Sequence, residues 1–174
     1  YESSMSQVAA TMGITSAAAD FQVLSDAAKE MGESTKFSAS QAGEALNYLA
    51  LAGYNAEKSV AALPTVLNVA AAGGMELASA SDMVTDAMSA LGLETAQMLS
   101  LIHISEPAQM SVFADQLAVT SQKSNTSVAQ LGEAILTVGG TAKTLSGGVT
   151  EMNTALGILA DNGIKGSEGG TALR

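Results

Sequence analysis

The side chains best suited to catalysis are scarce in this sequence. His103 is its single histidine and cysteine is absent, so the chain has neither a thiolate nucleophile nor a thiolate metal ligand. An imidazole can serve as a general base or bind a metal ion, but both roles need a partner group at a suitable spacing, and none accompanies His103. We therefore predict no catalytic residue and interpret His103 as non-functional.

Asp82 and Asp86 are four residues apart, which places both carboxylates on the same side of a helix. Such a pair can share a proton or bind a metal ion, but the sequence offers no second half of that site, so a solvated helix face is the simpler interpretation. Glycine pairs occur at 73–74, 139–140, 147–148 and 169–170. None precedes the lysine and hydroxyl residue of a phosphate-binding loop, and we interpret them as helix ends and hinges. No metal site and no cofactor site is predicted.

The charge balance restricts the kinds of partner this chain can bind. It has 7 basic and 17 acidic residues, a net charge of −10, which repels a phosphate backbone. We therefore expect no nucleic-acid binding by this segment. The lack of cysteine also excludes a secreted scaffold held together by disulfides.

No stretch without a charged residue is longer than the one from Ser59 to Met75, which has 17 residues. It contains Pro64 and a glycine pair, and it is shorter than the roughly 20 apolar residues that a membrane span needs. A buried helix with a break at Pro64 is the better interpretation.

Hydrophobic periodicity predicts helices along almost the whole chain. Between Ser16 and Glu33, apolar residues recur at steps of three and four and form one stripe, which comprises Phe21, Leu24, Ala28 and Met31. A similar stripe, later in the chain, comprises Val112, Phe113, Gln116, Leu117 and Thr120. No alternating run is long enough to support a sheet. The expected class is therefore all-α, built of helical hairpins with glycine-rich breaks.

Capping residues predict where these helices begin. The expected starts are Ser38 or Ser40, Asn55, Ser79 or Ser81, and Asn125 or Thr126. Pro64 is expected to begin a further segment, because proline lacks the N–H that is unpaired in the first turn of a helix. That segment is expected to stop at Gly73 and Gly74.

The sequence contains an internal repeat with an offset of 89 residues. Residues 40–46 align with 129–135 without a gap, and Gly74 falls on Gly163. Both copies have a Gly-Glu-Ala helix, a linker, an amphipathic helix and a glycine stop. A duplication predicts stacked helical hairpins. The alternative is that alanine- and glycine-rich helices resemble one another through composition alone.

The order of elements resembles the core region of phage tail tape measure proteins. The likeness begins at residues 37–93, with a Phe-Ser-Ala start, a Leu-Ala-x-Ala-Gly segment at 49–53, a Leu-Pro-x-Val-Leu-x-x-Ala segment at 63–70 and an Ala-Ser-Asp-Met-Val-Thr run at 80–85. It continues through residues 112–135 and on to the end of the chain. The resemblance depends on the order of these elements over many residues, not on any one short motif.

This resemblance implies a structural function without a cofactor. Tape measure proteins are long helical chains that set tail length as scaffolds inside the tail tube and leave the tail during DNA ejection. The implied partners are the tail tube protein, tail assembly chaperones, tail tip proteins and sister copies, with contact to the host membrane at infection. The implied locations are the lumen of the virion tail and, during assembly, the host cytoplasm. We expect the chain to be a fragment of a longer protein.

Residues 99–110 interrupt the resemblance. The triplet Ala-Gln-Met occurs at 96–98 and again at 108–110, and the intervening LSLIHISEP is similar to the translation of a DNA adapter used to prepare sequencing libraries. Our hypothesis is an artefact of sequencing or assembly; the alternatives are a genuine insertion loop and a functional site. The expected organisation is a first helical repeat region at 1–98, this suspected insertion at 99–110, and a truncated second repeat region at 111–174.

Two other classes of function compete with the scaffold. A helical membrane-active or pore-forming module is the main alternative, because the hydropathy and the alanine- and glycine-rich helices permit it. A soluble enzyme domain would need a constellation of catalytic groups that we do not find.

Overall fold

A computed structural model describes residues 1–91 and 106–174, and all regular elements in those two ranges are helical. The predicted all-α class is therefore confirmed. The helices are α1 (Glu2–Met12), α2 (Ala19–Ser34), α3 (Ala39–Leu51), α4 (Ala56–Gly73), α5 (Leu77–Leu91), α6 (Glu106–Lys123), α7 (Val128–Val138), α8 (Gly148–Asp161) and α9 (Gly166–Leu173), with a 3₁₀ segment at Gly139–Thr144. His103 and residues 99–105 lie outside the described residues.

The chain divides into two compact units, Tyr1–Thr85 and Asp86–Arg174, and the boundary lies within α5. In the first unit α3 is central, because it packs against α1, α2 and α4. Leu24 of α2, Leu46 of α3 and Leu63 of α4 are fully buried. The predicted stripe of α2 is confirmed, with Leu24 and Ala28 buried and its two other members half-buried.

The first unit begins its helices largely where the capping residues predict. Ser38 forms a reciprocal capping box before α3: its hydroxyl accepts the Gln41 backbone N–H, and the Gln41 side chain accepts the Ser38 N–H. Asn55 caps α4 by accepting the Lys58 N–H at 2.9 Å. Gly74 ends α4 in the left-handed conformation, with φ of 59°. The predicted start of α5 at Ser79 or Ser81 is wrong, because α5 begins at Leu77 and Ser81 is buried inside it.

The predicted break at Pro64 is also wrong. Helix α4 continues through this residue from Ala56 to Gly73. Proline removes one backbone hydrogen bond from a helix interior and crowds the preceding turn. The Pro64 ring is exposed, however, whereas Leu63, Val66 and Leu67 on either side are buried. Burial of these side chains offsets the local cost and holds the segment helical.

In the second unit α7 is central and packs against α6, α8 and α9. The start of α7 corrects the prediction of Asn125 or Thr126, since Ser127 is the capping residue and forms a capping box with Gln130. Asn125 is engaged elsewhere, because its backbone N–H donates to Asp161 at 2.7 Å.

The two units repeat the same local structure at the offset of 89. The capping pair of Ser38 and Gln41 falls on Ser127 and Gln130, so α3 and α7 begin at equivalent residues. Helices α2 and α6 also end at equivalent positions, Ser34 and Lys123. The helix boundaries therefore recur at the same offset as the sequence repeat.

Candidate functional surface

The residues considered for chemistry do not form a reaction centre in the part of the chain that the structure describes. Asp82 and Asp86 are both exposed on α5. No group of three or more histidine, cysteine, aspartate or glutamate residues comes close enough to hold a metal ion among the described residues. The two carboxylates therefore lie on a solvated helix face, as their spacing suggested.

Three of the four glycine pairs mark helix boundaries, as predicted. Gly74, Gly139 and Gly148 all have positive φ values, which glycine adopts without a steric cost. The pair at 169–170 differs, because both residues are buried inside α9 and neither ends a helix. A Cβ atom at Gly170 would lie 2.4 Å from the Ala134 carbonyl oxygen of α7. This pair thus permits a close approach between helices.

Helices α6 and α8 run side by side and form an open groove on the surface of the second unit. The Gln116 side-chain amide donates to the Thr150 hydroxyl at 2.7 Å, and further along Thr120 lies beside Gly157. Residues later in α6 contact residues later in α8, so the two helices run parallel. The groove has a volume of about 300 Å³ and is lined by Val112, Asp115, Gln116, Val119, Thr120, Thr150, Asn153 and Thr154.

One residue that lines this groove has a buried polar atom without a hydrogen-bond partner. Asn153 is 2% exposed, and its side-chain amide donates to Gln116 Oε1 at 3.4 Å. The carbonyl oxygen of the same side chain, Oδ1, is buried and accepts no hydrogen bond. Buried polar atoms are nearly always satisfied, because an unpaired one has lost its water without gaining a protein partner.

The groove also contains the largest departure from the predicted burial pattern of α6. Phe113 and Leu117 are buried as expected, but Val112 is 52% exposed. Its equivalent in the first unit, Val23, is 51% exposed. The sequence did carry a signal for this surface, since the repeat places valine on valine at an offset of 89. Periodicity alone does not reveal it, because a helix stripe gives no indication of which edge a neighbour covers.

No single helix among the described residues is both long and apolar enough to cross a membrane. Helices α4 and α5 taken together meet the length and hydropathy requirement, but their axes bend by 117° at the break between them. Leu63 and Val66 of α4 and Val84 of α5 are buried inside the protein. The core helix of a globular domain has the same properties.

The chain has clear relatives among phage tail proteins. It is 32% identical over its full length to a tape measure protein of Pneumococcus phage Dp-1, and 27% identical over 97% of its length to a probable tape measure protein of Escherichia phage P2. It spans only 14% and 19% of the lengths of those two proteins. No solved structure matches it significantly. Residues 25–174 match the model of the phage-related minor tail proteins, and the chain belongs to that family.

Proposed function

We propose that this chain is part of a structural tail component that sets tail length as a scaffold inside the tail tube and is released during DNA ejection. The observation that carries the proposal is the similarity over the whole chain to a tape measure protein of Pneumococcus phage Dp-1. The scaffold role needs no reaction centre, so we assign no catalytic function to the chain. In this proposal the segment lies in the lumen of the virion tail, and in the host cytoplasm during assembly.

The proposed partners are the tail tube protein, tail assembly chaperones, tail tip proteins and sister copies. The packing supports a chain that can be remodelled by such partners. Several helix contacts use glycine, such as Gly43 beside Ser4 and Gly170 beside Ala134. Small residues bury little apolar surface, at about 25 cal/mol for each Å². Separating such helices therefore costs less than separating helices joined by large side chains.

We also propose that the parent chain is organised as a first repeat region at 1–98 and a second at 111–174, separated by the suspected insertion at 99–110. The matched ends of α2 and α6, and the matched capping boxes that follow them, support two copies of one repeat. If residues 99–110 are an artefact, the natural offset of the repeat is 77 residues, since 89 minus 12 is 77.

Tail length in assembled particles tests the scaffold function. An in-frame deletion of the codons for residues 38–126 in the parent phage gene should shorten the tail; the deletion removes 89 codons, or 77 if residues 99–110 are an artefact. The expected change is about 115–130 Å if the segment is helical in the tail, and roughly 260–300 Å if it is extended. A duplication of the same codons should lengthen the tail by the same amount.

Negative-stain electron microscopy gives the measurement, with Val23→Ser in the full-length protein as a control that keeps the residue count. Assembled tails of unchanged length in both the deletion and the duplication would contradict the scaffold role.

A further inference from the structure

The groove between α6 and α8 has a shape that can bind a third helix. Two parallel helices with an open channel between them offer the shape into which an amphipathic helix packs. Val112 and Val119 stand two helical turns apart along one wall, and both are exposed. Asn153, whose Oδ1 atom has no hydrogen-bond partner, lies on the other wall, which α8 forms.

Asn153 indicates what the third helix must carry. Its buried Oδ1 can only accept a hydrogen bond, so a ligand that satisfies it must donate one. An exposed acceptor can accept a hydrogen bond from water, but Asn153 is only 2% exposed and needs a donor from a binding partner. The partner therefore needs a side chain with an N–H or O–H group between two apolar residues.

The acidic residues on α6 and α8 indicate which net charge the partner helix should carry. Asp115 lines the groove, and Glu151 and Asp161 lie on α8, whereas Lys123 is the single basic residue in the sequences of α6 and α8. A second copy of this chain would bring another net charge of −10, which opposes association. A basic helix gains from the same charges.

We propose that the groove between α6 and α8 binds a basic amphipathic helix, which inserts one hydrogen-bond-donating side chain at Asn153 and rests its apolar residues on Val112 and Val119. This surface is independent of the proposed role in tail length, because it can be tested on the 174-residue chain alone.

Two synthetic peptides provide the probe. Each has 15 residues, a fluorescent label, leucine at positions 4 and 11, and lysine or alanine elsewhere; position 8 is asparagine in the donor peptide and leucine in the apolar peptide. Fluorescence anisotropy should show that the wild-type chain binds the donor peptide about tenfold more tightly than the apolar peptide, since one buried hydrogen bond is lost with the latter. Asn153→Leu should reverse this preference.

The same variant also separates a binding role from a structural one. Removing an unsatisfied buried oxygen should leave the melting temperature of Asn153→Leu equal to or above that of the wild type. A lower melting temperature together with an unchanged peptide preference would show that Asn153 only supports the fold, which would overturn the proposal.

Val112→Ser and Val23→Ser form a matched pair, since the two valines are equally exposed at equivalent positions of the repeat. Val112→Ser should weaken binding of both peptides about fivefold, and Val23→Ser should leave binding unchanged. If neither variant weakens binding, the peptides are held by nonspecific attraction of lysine to an acidic protein; this result, or equal weakening by both variants, would overturn the proposal. So would sedimentation data in which Val112→Ser disrupts a dimer of the chain and has no effect on the peptides.

Discussion

The close approach of α9 to α7 predicts that Gly170→Ala destabilises the chain, although alanine is the better helix former. The added Cβ would lie 2.4 Å from the Ala134 carbonyl oxygen and 2.6 Å from Thr137 Cβ, whereas ordinary contacts begin at 3.4 Å. Helix α9 must therefore move away from α7 by about 1 Å. Overpacking of this kind costs about 1–3 kcal/mol, and the gain in helix propensity returns about 1 kcal/mol.

The expected net loss centres on about 1 kcal/mol, with an upper limit of about 2 kcal/mol, in the free energy of unfolding, measured by urea denaturation followed by circular dichroism. Hydrogen exchange should show the loss of protection in α7 and α9. Gly140→Ala is the matched control, because no atom lies within 4 Å of its added Cβ, and it should change the stability by less than about 0.5 kcal/mol. A Gly170→Ala chain as stable as the wild type, or more stable, would refute the close approach.

Three further predictions concern the capping boxes, Pro64 and the suspected insertion. Ser38→Ala and Ser127→Ala remove equivalent capping boxes and should each cost about 1 kcal/mol of unfolding free energy, and clearly unequal losses would argue against equivalent caps. Pro64→Ala should raise the free energy of unfolding by about 1–3 kcal/mol, because it restores an internal helix hydrogen bond at an exposed site, and a loss measured by the same urea denaturation would contradict this. Resequencing the source DNA across the codons for 93–112 should find Ala-Gln-Met once, directly before Ser111; finding all twelve extra codons would establish a genuine insertion.

The local features of this fold can be predicted from sequence because they depend on neighbouring residues. Ser38 and Asn55 cap helices through backbone groups three residues away, so their types and spacing are sufficient. The buried stripe of α2 follows from periodicity in the same way. The repeat at an offset of 89 can also be recognised in the sequence, because the order of residues is similar over a long stretch.

The sequence-based predictions are wrong at positions whose structure depends on contacts between helices. Pro64 predicts the start of a helix, but the burial of Leu63 and Val66 keeps α4 continuous through Pro64. The glycine pair at 169–170 predicts a helix end, but Gly170 lies against α7, a helix more than thirty residues away in sequence. Val112 reads as core because its spacing fits the stripe, and only the three-dimensional position of α8 shows it to be the edge of a groove.

The pairing of helices within each unit has a consequence for how the protein is made. Every helix of the first unit that contacts α3 is its first or second neighbour along the chain. Contacts between such near neighbours allow folding within about a millisecond or less, whereas a ribosome needs roughly 4–17 s to synthesise 85 residues. The first unit should therefore be folded before the second emerges. Adjacent copies of similar sequence are prone to exchange helices during folding, and this order of events keeps the helices of each copy with their own partners.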